Sequence, residues 1–217
     1  LGNENEELVR SLSLEEASSE IFSNPNCVIL TKTYSRKRYF GIPETEFYHL
    51  EGRKNMITKM PVRLLSLSML DLYDRHTLWD VGFCTGSVSI EAKLRFPTLE
   101  VVAFERREES RELLIENCRK FGAPGITGAI GDFLNCDLSR FASPDAGFIG
   151  GHGGQLEEMV RRIYKVLSKD GVIVFNSVSA ESCHMFRKAV ESYGGVIESE
   201  HTLILDDHNP ITILKAK

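Results

Sequence analysis

Trp79-Asp80-Val81-Gly82-Phe83-Cys84-Thr85-Gly86-Ser87-Val88 is the stretch on which the reading of this chain turns. The apolar run from Thr77 to Val81 fits a buried strand and Val88 to Phe96 fits a helix, so both glycines fall on a strand-to-helix turn. Gly82 lets the backbone bend sharply and come close to a ligand. Gly86 does the same where the helix starts, and exposed N–H groups at a helix start favour an anionic group. Asp80, at the strand's end, can accept from a positively charged amine of the same ligand, directly or through water.

On either side of this turn, strand-like and helix-like runs alternate. Strands are expected at Glu100 to Phe104, Gly125 to Ile130, Ala146 to Ile149 and Gly171 to Phe175. The intervening helices are expected at Glu108 to Phe121, Gln155 to Leu167 and Ala180 to Tyr193, with one more from Thr58 ahead of the first strand. Gly195 to Leu205 and Ile211 to Ala216 read as a closing antiparallel hairpin around Asp206-Asp207-His208-Asn209-Pro210. This alternation predicts an α/β fold, with a mostly parallel seven-stranded sheet, helices on both faces and the hairpin at one edge.

In such sheets ligands bind beyond the carboxyl ends of the strands. Glu105 ends the second strand 19 residues after Gly86, where a carboxylate can take both hydroxyls of a ribose. Asp132, after the third strand, could accept from an adenine amino group, and Phe133 could cover the ring. A nicotinamide or flavin fingerprint needs G-x-G-x-x-G, whereas the chain has Gly82-x-Cys84-x-Gly86. The set predicts a class I, Rossmann-like site for S-adenosylmethionine (SAM), whose methionine carboxylate would face the helix start. Phe83, Cys84 and Thr85 complete the cofactor loop.

The fourth strand runs into Gly150-Gly151-His152-Gly153-Gly154. These four glycines make an open floor that suits a large flat substrate. His152 is the titratable side chain within it and is the candidate acid or base. Asn176 ends the fifth strand on the same side, and Lys59 and Arg63 lie on the helix expected to lid the site, where they could meet acidic substrate groups.

The formal net charge of −5 argues against a broad nucleic-acid surface. No run of about 18 apolar residues exists to span a membrane. The five cysteines are scattered without a CxxC pair, so neither a disulfide framework nor a metal site is expected, and a reducing cytoplasm is the natural setting. Residues 1–32 read as the end of another unit: Ser13 and Glu16 make a capping box for a short helix, and Cys27-Val28-Ile29-Leu30 reads as a strand. Residues 33–57 read as linker and lead-in, with a solvated basic run at Lys32, Arg36, Lys37 and Arg38, and residues 58–217 as the main domain.

Taken together, these residues resemble the decarboxylating precorrin methyltransferases of cobalamin biosynthesis. The likeness rests on Gly41-Ile42-Pro43-Glu44 with Phe47, on Ile57-Thr58-Lys59, on Trp79 to Glu91, on the glycine cluster and on Asn209-Pro210-Ile211. Cys84 stands where the family has a glycine and His152 where it has a serine, and the final hairpin turn is shorter than in many members. The opening stretch, with Leu1-Gly2-Asn3 and Ser13-Leu14-Glu15-Glu16, resembles the tail of the methylase domain that precedes this one in fused members. The resemblance implies methyl transfer from SAM to C-15 of a tetrapyrrole, with loss of the ring C acetate carboxyl as carbon dioxide. It also implies a homo-oligomer, and it adds Thr58 to the cofactor residues. Two alternatives stay open on the sequence: a SAM methyltransferase for another substrate such as tRNA, or a non-catalytic SAM-binding scaffold.

Overall fold

The computed structural model describes residues 7–31, 35, 37, 39–205 and 209–217. They divide into two units, Leu1–Lys37 and Arg38–Lys217. In the first, helix α1 (Leu14–Ser19) has the expected capping box: Ser13 takes the Glu16 N–H and Glu16 takes the Ser13 N–H. Cys27 to Leu30 is not a strand, which corrects the expectation. A strand needs a partner to hydrogen-bond with, and Val28, Ile29 and Leu30 are instead exposed. Residues 1–6 and most of the basic run (32, 36 and 38) lie outside the described residues.

The second unit holds α2 (Met60–Met69), β1 (Thr77–Val81), α3 (Ser87–Arg95), β2 (Glu100–Glu105), α4 (Glu109–Phe121) and β3 (Ile126–Ile130). They are followed by β4 (Ala146–Ile149), α5 (Leu156–Tyr164), β5 (Val172–Ser177), α6 (Ala180–Ser192), β6 (Ile197–Leu203) and β7 (Ile211–Ala216). The seven strands form one sheet in the order β3-β2-β1-β4-β5-β7-β6. The strands β1 to β5 run parallel, and β7 pairs antiparallel with both β5 and β6. The closing hairpin therefore forms as expected, with β7 inserted between β5 and the edge. Residues 206–208 of its turn lie outside the described residues.

Alternate side chains leave the sheet on opposite faces. Trp79 and Val81 of β1, Phe104 of β2 and Phe175 of β5 pack with Leu156 and Val160 of α5 and Phe186 of α6. On the other face Leu78, Val101, Phe148, Val174 and Ile213 pack against Val62 of α2 and Val88 of α3. Strand order reverses at β1, between β2 and β4. The carboxyl ends there are flush: Val81 sits level with Phe104 on one side and Ile149 on the other. The Gly82 N–H donates to the Phe104 carbonyl (2.8 Å) and the Gly150 N–H to the Val81 carbonyl (2.9 Å), which brings the cofactor loop and the glycine floor side by side.

Helix α2 starts at Met60 rather than being capped by Thr58. Pro61 fixes the first turn, and the Glu44 carboxylate of the lead-in segment takes the Met60 N–H. The Gly41-Ile42-Pro43-Glu44 segment is thus a strap. Its Ile42 N–H donates to Glu91 on α3 (3.0 Å), while its Ile42 carbonyl accepts from Arg63 on α2. Gly41 needs its glycine because φ is 91° and a Cβ would come within 2.9 Å of Met60. Among the described residues, no helix is long and apolar enough to cross a membrane.

A candidate cofactor and substrate cleft

A cleft of about 1020 Å³ opens at the carboxyl ends of β1, β2, β4 and β5. Its walls bring together most of the residues chosen from the sequence. Gly82, Phe83, Cys84, Glu105, Asp132 and Phe133 line it from the turns after β1, β2 and β3. Thr58 and Lys59 line it from the start of α2, and Gly150, Gly151, His152, Gly153 and Asn176 from β4 and β5.

The loop after β1 is held from beneath. Gly82 has φ 82°, and a Cβ there would lie 2.9 Å from the Gly151 backbone N and O. Cys84 also has positive φ (49°), a conformation that costs a side-chain-bearing residue free energy. What holds it is the Cys84 N–H bond to Glu105 Oε2 (3.1 Å). Burial pushes the Cys84 thiol up to about 11, so it is a neutral wall of the cleft. Glu105 is 4% exposed. Its Oε1 accepts from the N–H groups of Arg106 (2.9 Å) and Arg107 (3.2 Å) and from the Arg107 guanidinium (2.9 Å). Oε2 keeps a lone pair for a ligand hydroxyl.

Asp80, Thr85 and Gly86 lie under the loop rather than on the cleft wall. Asp80 is fully buried, its Oδ2 accepting from the Ser89 hydroxyl (2.6 Å) and N–H (3.2 Å). Its Oδ1 and the Thr85 hydroxyl are buried without a partner. Gly86, φ 75°, is the N-cap of α3, and a Cβ would press within 2.3 Å of Leu114. An orphaned carboxylate oxygen, an orphaned hydroxyl, a helix start and a Cβ-free bend fit a ligand carrying an amine, a carboxylate and a ribose. The residues present therefore fit SAM.

Burial raises the Asp80 carboxyl to about 6, against the lowering effect of its two bonds from Ser89; the Glu105 charge adds to the rise. A folded pKa above the unfolded one means that the folded state holds the proton more tightly. The stability this confers is full below about pH 4 and is lost as pH rises through about 6. Asp80→Asn, which keeps an acceptor without the charge, is expected to stabilise the ligand-free protein near neutral pH by up to about 3 kcal/mol. It is also expected to weaken S-adenosylhomocysteine (SAH) binding about tenfold. Urea titration and calorimetry of the two proteins check both signs.

Asp132 binds its own turn, accepting from the Leu134 N–H (3.0 Å) and the Asn135 amide (2.7 Å). Phe133 reaches the cleft with little of its ring. It is 4% exposed and packs edge-on against Phe104 and Trp79, so its expected role as a cover over adenine is corrected to a core side chain that borders the site.

The expectation for Arg63 is also corrected. It is 0% exposed and does not reach the cleft. Its guanidinium pairs with Glu91, donates to the carbonyls of Thr58 and Ile42, and lies over the Phe47 ring (5.2 Å). It fixes the strap and the start of α2 and thereby sets Thr58 and Lys59 in the wall. Gly154, with φ 85°, turns the chain behind the floor without lining it.

His152 is bonded through both ring nitrogens. Nδ1 accepts from the Gly154 N–H (3.1 Å), so the hydrogen sits on Nε2, which donates to Ser182 Oγ at the start of α6 (3.2 Å). Burial holds its pKa below the usual histidine value. Neutral and doubly engaged, the imidazole secures the floor to α6, and proton transfer by it requires one of these bonds to break.

Sequence reasoning missed Asn117. Fully buried on α4, its side chain accepts from the Tyr48 N–H (2.9 Å) and donates to the carbonyls of Tyr48 (3.1 Å) and Thr85 (3.0 Å). It ties the lead-in segment to the cofactor loop. The signal was an asparagine on the apolar face of an amphipathic helix, which needs polar partners when buried.

A family model described as the precorrin methyltransferase domain matches residues 47–205. The cobalt-precorrin-6B C(15)-methyltransferase (decarboxylating) of Salmonella typhimurium is 38% identical over 135 residues, which span 62% of this chain and 69% of that protein. The precorrin-6Y C(5,15)-methyltransferase [decarboxylating] of a Sinorhizobium species is 35% identical over 58% of this chain, which spans 30% of that longer protein. In three dimensions the chain is similar to the crystal structure of precorrin-6y C5,15-methyltransferase from Geobacter metallireducens, with a TM-score of 0.71 and 32% identity. That match covers 82% of this chain and 95% of the other. With the cleft at the topological switch point and the family model spanning both loop and floor, the chain belongs to the precorrin methyltransferase domain family.

Proposed function

We propose that this chain transfers a methyl group from SAM to C-15 of a precorrin or cobalt-precorrin, with loss of the ring C acetate carboxyl as carbon dioxide, in cobalamin biosynthesis. The observation that carries the reading is the pairing, at one switch point, of a Glu105-anchored loop with a floor lined by the three glycines Gly150, Gly151 and Gly153. The floor presents main chain rather than side chains, so a broad planar ring can lie against it.

When bound, SAM supplies an electrophilic methyl group. In this reading the protein's work is mostly positioning. Glu105 takes the ribose hydroxyls, and the start of α3 takes the carboxylate, with the Asp80 carboxyl beneath the loop on the side of the amine. Thr58 borders the cofactor, with Asp132 and Phe133 at the adenine end. Gly150, Gly151 and Gly153 support the macrocycle, and Lys59 faces its carboxylate side chains. The substrate carbon is a conjugated, enamine-like nucleophile, so no strong base is required.

Residues 1–32 fit the tail of a preceding methylase domain, because Leu14, Ile21, Val28 and Ile29 are exposed apolar side chains that call for a partner surface. We place the enzyme in the cytoplasm, as a homo-oligomer. Incubation with methyl-labelled SAM and a precorrin intermediate is expected to put label and carbon dioxide release in a one-to-one ratio. Label entering tRNA and not the tetrapyrrole would overturn the assignment.

A further inference from the structure

We infer that Asn176 is the residue that holds the departing acetate carboxyl, through a neutral amide fixed in place by Ser66. The inference rests on the tetrapyrrole reading above and assigns one chemical task within it.

Asn176 lies near the end of β5, level with Ile213 of β7, and lines the cleft. The Ser66 hydroxyl on α2, fully buried, is shared between Asn176 Oδ1 (3.0 Å) and the Val62 carbonyl one turn earlier (2.8 Å). With Oδ1 turned to Ser66, Nδ2 is shielded from water and has no acceptor. A buried donor without a partner is costly, and the cleft beside it is where an acceptor can come from. Val62, Val178 and Ile211 line the same cleft, as do the polar side chains of Lys59, His152, Gln155 and Asn209.

The chemistry selects the amide over the lysine for the reacting group. In the decarboxylation the bond between the acetate methylene and its carboxyl carbon breaks. The bonding pair goes to the methylene carbon and into the conjugated macrocycle, carbon dioxide leaves, and a proton adds to the methylene to give a methyl group. The carboxylate therefore loses its charge as the bond breaks. A cation held against it would stabilise the starting state and slow the step. A neutral donor orients the carboxylate without the full ion-pair attraction that a cation would add to the starting state. Lys59 then serves the carboxylates that do not react.

The test measures carbon dioxide released per methyl group transferred, using SAM labelled in the methyl group and precorrin labelled in the ring C acetate carboxyl. Asn176→Asp exchanges the donor for a like charge at constant shape. It is expected to lower the ratio about tenfold while SAH affinity stays within about twofold. Ser66→Ala releases the amide without adding bulk or charge and is expected to lower the ratio about threefold, so the test does not depend on one variant folding. A ratio that stays at the wild-type value in both variants while SAH binds normally overturns the assignment of Asn176 alone. A wild-type protein that binds SAH yet methylates no tetrapyrrole overturns the functional reading beneath it.

Discussion

Glu105→Ala is expected to weaken SAH binding about a hundredfold, roughly 2.7 kcal/mol, in calorimetric titration. The size follows from what the carboxylate does before any ligand arrives. It takes the N–H of Cys84, which holds that residue at positive φ, and it takes the N–H groups of Arg106 and Arg107. Without it, the loop after β1 loses the contact that keeps it bent, and three main-chain donors lose their acceptor. Glu105→Gln keeps one acceptor oxygen and turns a donor toward the loop or the ribose, and about a tenfold loss is expected. An alanine variant that binds SAH as tightly as the wild type would sink the assignment of Glu105 to the ribose.

Arg63→Met is expected to destabilise the fold by about 3–5 kcal/mol in urea denaturation, because it leaves the Glu91 carboxylate buried beside an apolar chain. It also strips the carbonyls of Ile42 and Thr58 of their donor. For a chain of this size the midpoint of thermal unfolding should drop by on the order of 10 °C. Removing both charges, in Arg63→Met with Glu91→Gln, should recover part of the loss, since the buried unpaired charge is the costliest term. A substrate-binding arginine would behave oppositely, with stability unchanged and the tetrapyrrole KM raised. That outcome would return Arg63 to the cleft.

The contrast between these two residues shows what the chain discloses about itself. The place of Glu105 was legible because it follows from local order: a strand ends, a carboxylate stands there, and the spacing from Gly86 fits one βα unit. The strand pattern was legible for the same reason, and β1 and β7 fall on the expected bounds. Arg63 was misplaced because its destination depends on Glu91, 28 residues away on another helix, and on the carbonyl of Ile42. Nothing in the local pattern separates a cation that turns inward to a distant carboxylate from one facing a ligand. Phe133 failed likewise: an aromatic after a strand can lean over the site or into the core, and Trp79 and Phe104 drew it inward. Cys27 to Leu30 has strand composition without a strand, because pairing is a property of two segments.

Gly82 and Gly151 meet main chain to main chain, with no room between them for even one methyl group. The two halves of the cleft therefore share a seam without side-chain slack, and in the proposed reaction a shift of one loop presses on the other. By linkage, whatever factor the first ligand applies to the second's dissociation constant, the second must return to the first. In the proposed reaction, any such factor between donor and acceptor passes across a pair of residues that have no side chains at all.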